Sequence, residues 1–178
     1  MSRVPSLSSP FLLGFDEIER ALDRVSKAAD GYPPYNIEQT GEDRVRLLHA
    51  MTTQNIQQMM VNSGGYTFFL NAQGRILGDA NLFCFEDSIL LDTEPELARK
   101  LYEHLDRYII ADDVTIEDLN AGGAGLATIA IEGPDGIAVL EKLGAPVPQH
   151  PYGTAQWDDG IVARVDSTGV GGAFIFIP

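Results

Sequence analysis

The chain has 178 residues, enough for one large domain or two small intertwined ones. Apolar residues make up 44% and charged residues 21%, ordinary globular usage that excludes wholesale disorder and requires a packed core. A formal net charge of -14 without any Lys/Arg stripe excludes nucleic acid as an expected partner, and the lone Cys84 excludes an internal disulfide and fits a reducing cytoplasm.

The first fifteen residues hold one Arg and a three-residue apolar patch, Phe11 to Leu13, closely followed by Asp16 and Glu17, which is not the pattern of a signal peptide. No stretch approaches the roughly 18 to 20 apolar residues that span a bilayer, so a soluble protein without a membrane partner is expected. Ile18, Leu22, Val25 and Ala29 recur at helical spacing until Gly31 and the Pro33-Pro34 pair stop the helix. Asn36 to Gln39 reads as a short strand, and Thr40-Gly41-Glu42-Asp43 turns into an amphipathic helix carrying Val45, Leu47, Leu48 and Met51. From Tyr66 the period changes to two. Tyr66 to Asn71, Ile76 to Phe85 and Ser88 to Asp92 are β-rich runs broken by Ala72-Gln73-Gly74-Arg75 and Glu86-Asp87, which predicts three antiparallel strands in sequence. Thr93 and Glu96 have the spacing of a capping box, and Leu97, Leu101, Leu105 and Tyr108 or Ile109 form the apolar stripe of the helix that follows. The Gly-rich Asn120 stretch lacks the strand-then-helix context of a dinucleotide loop, because a strand follows it, so it reads as the linker between repeats.

An internal repeat organises the chain. Ile37-Glu-Gln-Thr-Gly41-Glu-Asp43-Arg-Val45-Arg-Leu-Leu48 is echoed by Ile129-Ala-Ile-Glu-Gly133-Pro-Asp135-Gly-Ile137-Ala-Val-Leu140, at a constant offset of 92 residues between Gly41 and Gly133. Four identities, with Val45 against Ile137 and, three residues further on, Met51 against Leu143 as conservative matches, favour a duplicated strand-turn-helix unit. The boundaries are residues 1–120 for the first unit with its N-terminal helix and 121–178 for a second, truncated one. A second copy as long as the first would reach about residue 210, so an unfinished second sheet, with a self-association that covers it, is expected.

The segment GEDRVRLLHAMTTQNIQQMM from Gly41, the hairpin and strand FFLNAQGRILGDANLF from Phe68, the run IAIEGPDGIAVLEKL from Ile129 and STGVGGAFIFIP from Ser167 together resemble the glycine cleavage T-protein (aminomethyltransferase) superfamily over residues 36–178. The resemblance implies an α+β fold in which two intertwined similar subdomains, each an antiparallel sheet with helices, share a central folate cavity. It also implies a C-terminal β-rich domain, which this sequence does not contain.

Asp79 is an acidic residue inside a strand between Leu77 and Leu82, a position that strands disfavour and that a solvent-facing edge or a ligand would explain. By the resemblance it matches the second acid of the family's Asp-Asp pair, whose role is catalytic, with Gly78 in place of the first. Transfer of a one-carbon unit to or from tetrahydrofolate needs a dry slot for the pterin and a carboxylate near its reacting nitrogen, and needs no metal. Asp79 is therefore the candidate catalytic and folate-binding residue. Asp92 falls where aminomethyltransferases have a pterin-contacting Asn, and reads otherwise as an acid ahead of a helix. Asn71 is a folate-site candidate, although an Asn ahead of a tight turn more often caps the hairpin, and Tyr66 is either a stacking platform or a core aromatic. Thr168 and Gly169 retain part of the family's Thr-Gly-x-x-Gly turn, while Val170 stands where its Glu is expected. Cys84, between Phe83 and Phe85, reads as a small core residue, and the three histidines show no metal-ligand spacing.

The single acid in GRILGDANLF, the short Glu86-Asp87 turn and the decayed Tyr-Thr-Gly-Glu segment make the chain more similar to the YgfZ-like branch, folate-binding accessory factors for iron-sulfur cluster assembly and repair, than to a true aminomethyltransferase. The branch's Lys-Gly-Cys motif is not in this sequence. The resemblance implies tetrahydrofolate as cofactor and an iron-sulfur or lipoyl protein as partner. The alternatives are an aminomethyltransferase acting on lipoyl protein and a non-catalytic interaction module, because a fold does not fix a function.

Overall fold

The computed structural model describes residues 35–121 and 125–178, so the helix expected before Gly31 and the middle of the Gly-rich linker lie outside the described residues. β1 (Tyr35–Thr40) leads through the Gly41 turn into α1 (Arg44–Met51), and a single 3₁₀ turn at Ile56–Gln58 precedes the meander β2 (Ser63–Leu70), β3 (Ile76–Cys84) and β4 (Ser88–Thr93). α2 (Pro95–Asp106) and β5 (Thr115–Asp118) complete the first unit. The second runs β6 (Ala127–Glu132), α3 (Gly136–Lys142), β7 (Thr154–Trp157), β8 (Gly160–Ala163) and β9 (Gly172–Ile177).

The first sheet has the order β2-β3-β4-β1-β5 and the second β6-β9-β8-β7, and every pairing is antiparallel. Read from the inner strand outward, β1-β4-β3-β2 is repeated as β6-β9-β8-β7. The repeat holds in detail at its N-terminal end. β1 and β6 are 92 residues apart at both ends. Gly41 and Gly133 both have positive φ, 98° and 126°. Asp43 and Asp135 stand in helical conformation as N-caps, with Leu47 N donating to Asp43 O and Val139 N to Asp135 O, both at 2.9 Å. The offset falls to 84 at β4 and β9 because the long β2–β3 hairpin is replaced by the two-residue turn Asp158-Asp159 between four-residue strands. Among the described residues the second unit has no counterpart of α2 and β5, so β6 lacks the outer neighbour that β5 gives β1. The second sheet repeats four strands of the first sheet's order and stops one strand short of its five, as expected of an incomplete second copy.

Alternation decides what each sheet face meets. Ile37, Phe69, Ala80, Leu82, Cys84, Ile89 and Leu91 point to one side of the first sheet and pack with Leu47, Leu48, Leu101 and Leu105 of the two helices. Val162, Ala173, Ile175 and Ile177 pack likewise beneath Leu140 of α3. The two sheets meet through Phe83, Leu90, Ala163, Val165 and Phe176, with the rings of Phe83 and Phe176 edge to face at 5.3 Å. The result is a stack of helices, sheet, sheet and helix, an α+β fold of two similar antiparallel units.

One local expectation is corrected. Thr93 and Glu96 do not form a capping box: the N-cap of α2 is Glu94, with Pro95 beginning the helix, and Thr93 is still in β4, where its hydroxyl donates to Asp79 O at 2.7 Å. Pro95 supplies the preset φ of the first helical residue and has no N–H to leave unpaired there, and no side chain caps the helix.

Candidate functional site

The face of the first sheet that looks toward the second is apolar at its centre and polar toward one side. The register places Tyr66 opposite Asn81, Asn81 opposite Asp92 and Asp92 opposite Asn36, so four polar residues form one row across β2, β3, β4 and β1. Thr128 of β6 continues the row from the other sheet. Tyr66, Asn81, Asp92 and Thr128 of this row floor a cleft of about 380 Å³ that Asp79, Glu94 and Phe174 also line, a volume typical of small-molecule sites. Ala80, Pro95, Ala130 and Phe174 add apolar wall.

Asp79 is half-buried on β3, and its carboxylate accepts the Tyr66 hydroxyl. That hydrogen bond, with burial and the carboxylate's charge, pushes the Tyr66 phenol up to about 12, so Tyr66 remains a donor. Tyr66 is 43% exposed, its ring set edge-on to Phe68 at 5.2 Å, and it does not serve the core. Asp92 is 5% exposed. Burial pushes its carboxyl up to about 6, opposed by hydrogen bonds donated by Asn81 Nδ2 at 3.0 Å and Thr128 Oγ1 at 3.4 Å. Asn36 Nδ2 donates to Thr128 Oγ1 at 3.4 Å and to Leu126 O at 3.2 Å, and Tyr152 donates to Asn81 Oδ1 at 3.3 Å. The cleft thus gathers the carboxyl groups of Asp79, Asp92 and Glu94, and among the described residues that line it there is no Lys, Arg or His. Such a site favours a ligand that presents N–H donors.

The structure brings Tyr66, Asp79 and Asp92 of the sequence candidates together in this cleft. Asn71 lies at the far end of the β2–β3 hairpin, where its Oδ1 accepts the N–H groups of Gln73 and Arg75, both at 2.9 Å, so its side chain is used as a turn cap. Thr168 and Gly169 are exposed in the β8–β9 loop, which Asp166 holds by accepting from Gly169 N at 2.7 Å and Gly171 N at 3.1 Å; neither lines the cleft. Asn36, Asn81, Glu94, Thr128 and Tyr152 escaped the sequence reading. Asn81 carried a legible signal, since it alternates in phase with Asp79 on a strand that was already assigned. The others depend on strand pairing and on contacts between sheets.

The chain matches the model of the GCVT N-terminal domain over residues 27–169. It is 30% identical over 147 residues to a putative chloroplastic transferase of Arabidopsis thaliana, covering 80% of this chain and 33% of the relative. It is 24% identical over 140 residues to an aminomethyltransferase of Phocaeicola vulgatus, covering 74% of this chain and 38% of the relative. The chain therefore spans between a third and two fifths of the length of these curated relatives. Its fold is similar to the crystal structure of glycine cleavage system aminomethyltransferase T from Bartonella henselae, with a TM-score of 0.72 and 21% identity over 82% of this chain and 40% of that one. The sequence match and the doubled strand-helix unit agree: the chain belongs to the GCVT N-terminal domain family.

Proposed function

We propose that the cleft binds the pterin of tetrahydrofolate, with Asp79 as the catalytic and orienting carboxylate. The observation that carries this reading is the acceptor-rich lining: Asp79, Asp92 and Glu94 converge on one slot with no cation among the described residues that line it, and a reduced pterin presents ring N–H and amino donors along one edge. Phe174, Pro95 and the Tyr66 ring supply flat apolar walls for the ring system. When bound, tetrahydrofolate supplies the nitrogen atoms that carry or accept a one-carbon unit. Asp79 holds a proton-accepting oxygen at the mouth of the slot, Tyr66 fixes that carboxylate in place, and the closed interface between the sheets limits water behind Asp92.

Within the family, the reading favoured is a YgfZ-like accessory factor for iron-sulfur cluster assembly or repair, in the cytoplasm, with an iron-sulfur protein as partner. Its support is the β8–β9 loop, where Val170 stands 55% exposed in place of the Glu that the aminomethyl-transfer motif calls for. Aminomethyl transfer from a lipoyl protein is the second reading, supported by the names of two of the curated relatives.

Calorimetric titration of tetrahydrofolate into the wild type and an Asp79→Ala variant tests the folate site. Binding that weakens at least about tenfold in the variant supports the assignment, that is about 1.4 kcal/mol or more; equal binding by both removes Asp79 from the site. Release of ammonia from an aminomethyl-lipoyl substrate would favour the second reading over the first.

A further inference from the structure

Tyr152 belongs to the second unit, yet its hydroxyl reaches β3 of the first and donates to Asn81 Oδ1 at 3.3 Å. Its backbone adopts φ 58°, a region that a side chain with a β-carbon rarely occupies. The conformation is fixed by Tyr152 N donating to Arg164 O at 2.7 Å and by its ring lying 6.2 Å from that of Phe83. With its oxygen engaged by Tyr152, the Asn81 amide has one orientation left, in which Nδ2 faces and donates to Asp92 Oδ2 at 3.0 Å. From the other side Asn36 donates to Thr128 and Thr128 to Asp92 Oδ1. The contacts on both sides thus end in a donor that faces the Asp92 carboxyl.

We infer that Tyr152 is a positioning residue of the cleft: by holding the Asn81 amide in one orientation, it presents Asp92 to the slot as an acceptor and couples the docking of the second unit to the state of that carboxyl. This deepens the folate reading and rests on it for the ligand alone. The other titratable groups around Asp92 are Tyr66 on β2, Asp79 on β3 and Glu94 ahead of α2, while β1 and β6 contribute the uncharged Asn36 and Thr128. Without the Tyr152 hydroxyl the amide is free to turn its oxygen toward Asp92, which removes a donor from the carboxylate and disfavours its ionised form.

The test is the titration of the Asp92 carboxyl carbon, followed by NMR in the ligand-free wild type and in Tyr152→Phe, which keeps the ring on Phe83. The expected result is a midpoint higher by about 0.5 to 1 pH unit in the variant. Tetrahydrofolate affinity should then be about threefold to tenfold weaker at pH 5 and unchanged at pH 8, a pH profile that loss of packing alone would not produce. An unmoved Asp92 midpoint overturns the inference. A moved midpoint in a protein whose wild type binds no tetrahydrofolate overturns the folate reading and supports the positioning role. Should Tyr152→Phe fail to fold, the wild type carries the test: the Asn81 side-chain amide and the Tyr152 Cζ resonance must follow the Asp92 titration, and a Tyr152 resonance that ignores it overturns the inference.

Discussion

Asp92→Asn should make the ligand-free protein more stable at neutral and alkaline pH. The carboxyl is buried, and its folded-state affinity for a proton is raised from the ordinary 3.8 to about 6. A raised value means that the folded state binds the proton more tightly than the unfolded one. The associated stabilisation is complete below about pH 3.8 and is lost as pH rises through about 6. The gap corresponds to about 3 kcal/mol, at about 1.4 kcal/mol per tenfold change in proton affinity. Asparagine escapes this loss because it is never ionised. It can also keep both contacts, with its oxygen accepting from Asn81 and its amide donating to a rotated Thr128 hydroxyl. Since the ionised carboxylate's hydrogen bonds are stronger than the amide's, the net gain at pH 8 should be about 1 to 3 kcal/mol. Urea unfolding of both proteins at pH 4.5 and pH 8 reads it directly: the gap should open between the two pH values, and all other titrating groups cancel in the difference. A variant less stable than wild type at pH 8, or a gap independent of pH, would refute the argument that burial dominates the Asp92 carboxyl.

The two turn glycines should respond differently to the same substitution. A β-carbon on Gly41 would lie 2.1 Å from Asp113 O, whereas one on Gly133 meets nothing within 4 Å; Gly41→Ala should cost about 3 to 5 kcal/mol and Gly133→Ala about 1 to 2 kcal/mol in thermal or urea unfolding. Phe83→Ala empties the contact between the sheets and should cost about 3 to 5 kcal/mol, measured in the same way. Burial pushes the Cys84 thiol up to about 11, so Ellman's reagent at pH 8 should label it only after unfolding, and rapid labelling of the native protein would contradict its core placement.

The strand-turn-helix unit was legible because it rests on local rules: alternation along β1 and β6, a glycine where φ must be positive, and an apolar stripe on each helix. The three-strand meander was legible for the same reason, since tight turns between period-two runs leave little choice of pairing. Thr93 shows the limit of a local motif: the spacing of a capping box was present, but pairing with β1 kept Thr93 in the strand and Pro95 opened the helix. The later strands of the second copy were hidden because a much shorter hairpin, partly offset by a longer β8–β9 loop, changed the offset of the repeat from 92 to 84.

The candidate site divides along the same line. Asp79 stood out in the sequence as an acid where strands disfavour one, and Tyr66 and Asp92 could be placed beside it on neighbouring strands. Asn36, Thr128 and Tyr152 could not, because they come from 43 residues or more away in the chain and reach the row only through sheet register and the packing of one unit on the other. Sequence by itself determined the elements from β1 to α2, the repeated strand-turn-helix unit and the single most anomalous carboxylate, all of which follow from local patterns along the backbone. Only the tertiary structure decided which polar groups face each other and how deeply Asp92 is buried, because hydrogen-bond geometry and desolvation depend on distances in space that no local pattern encodes.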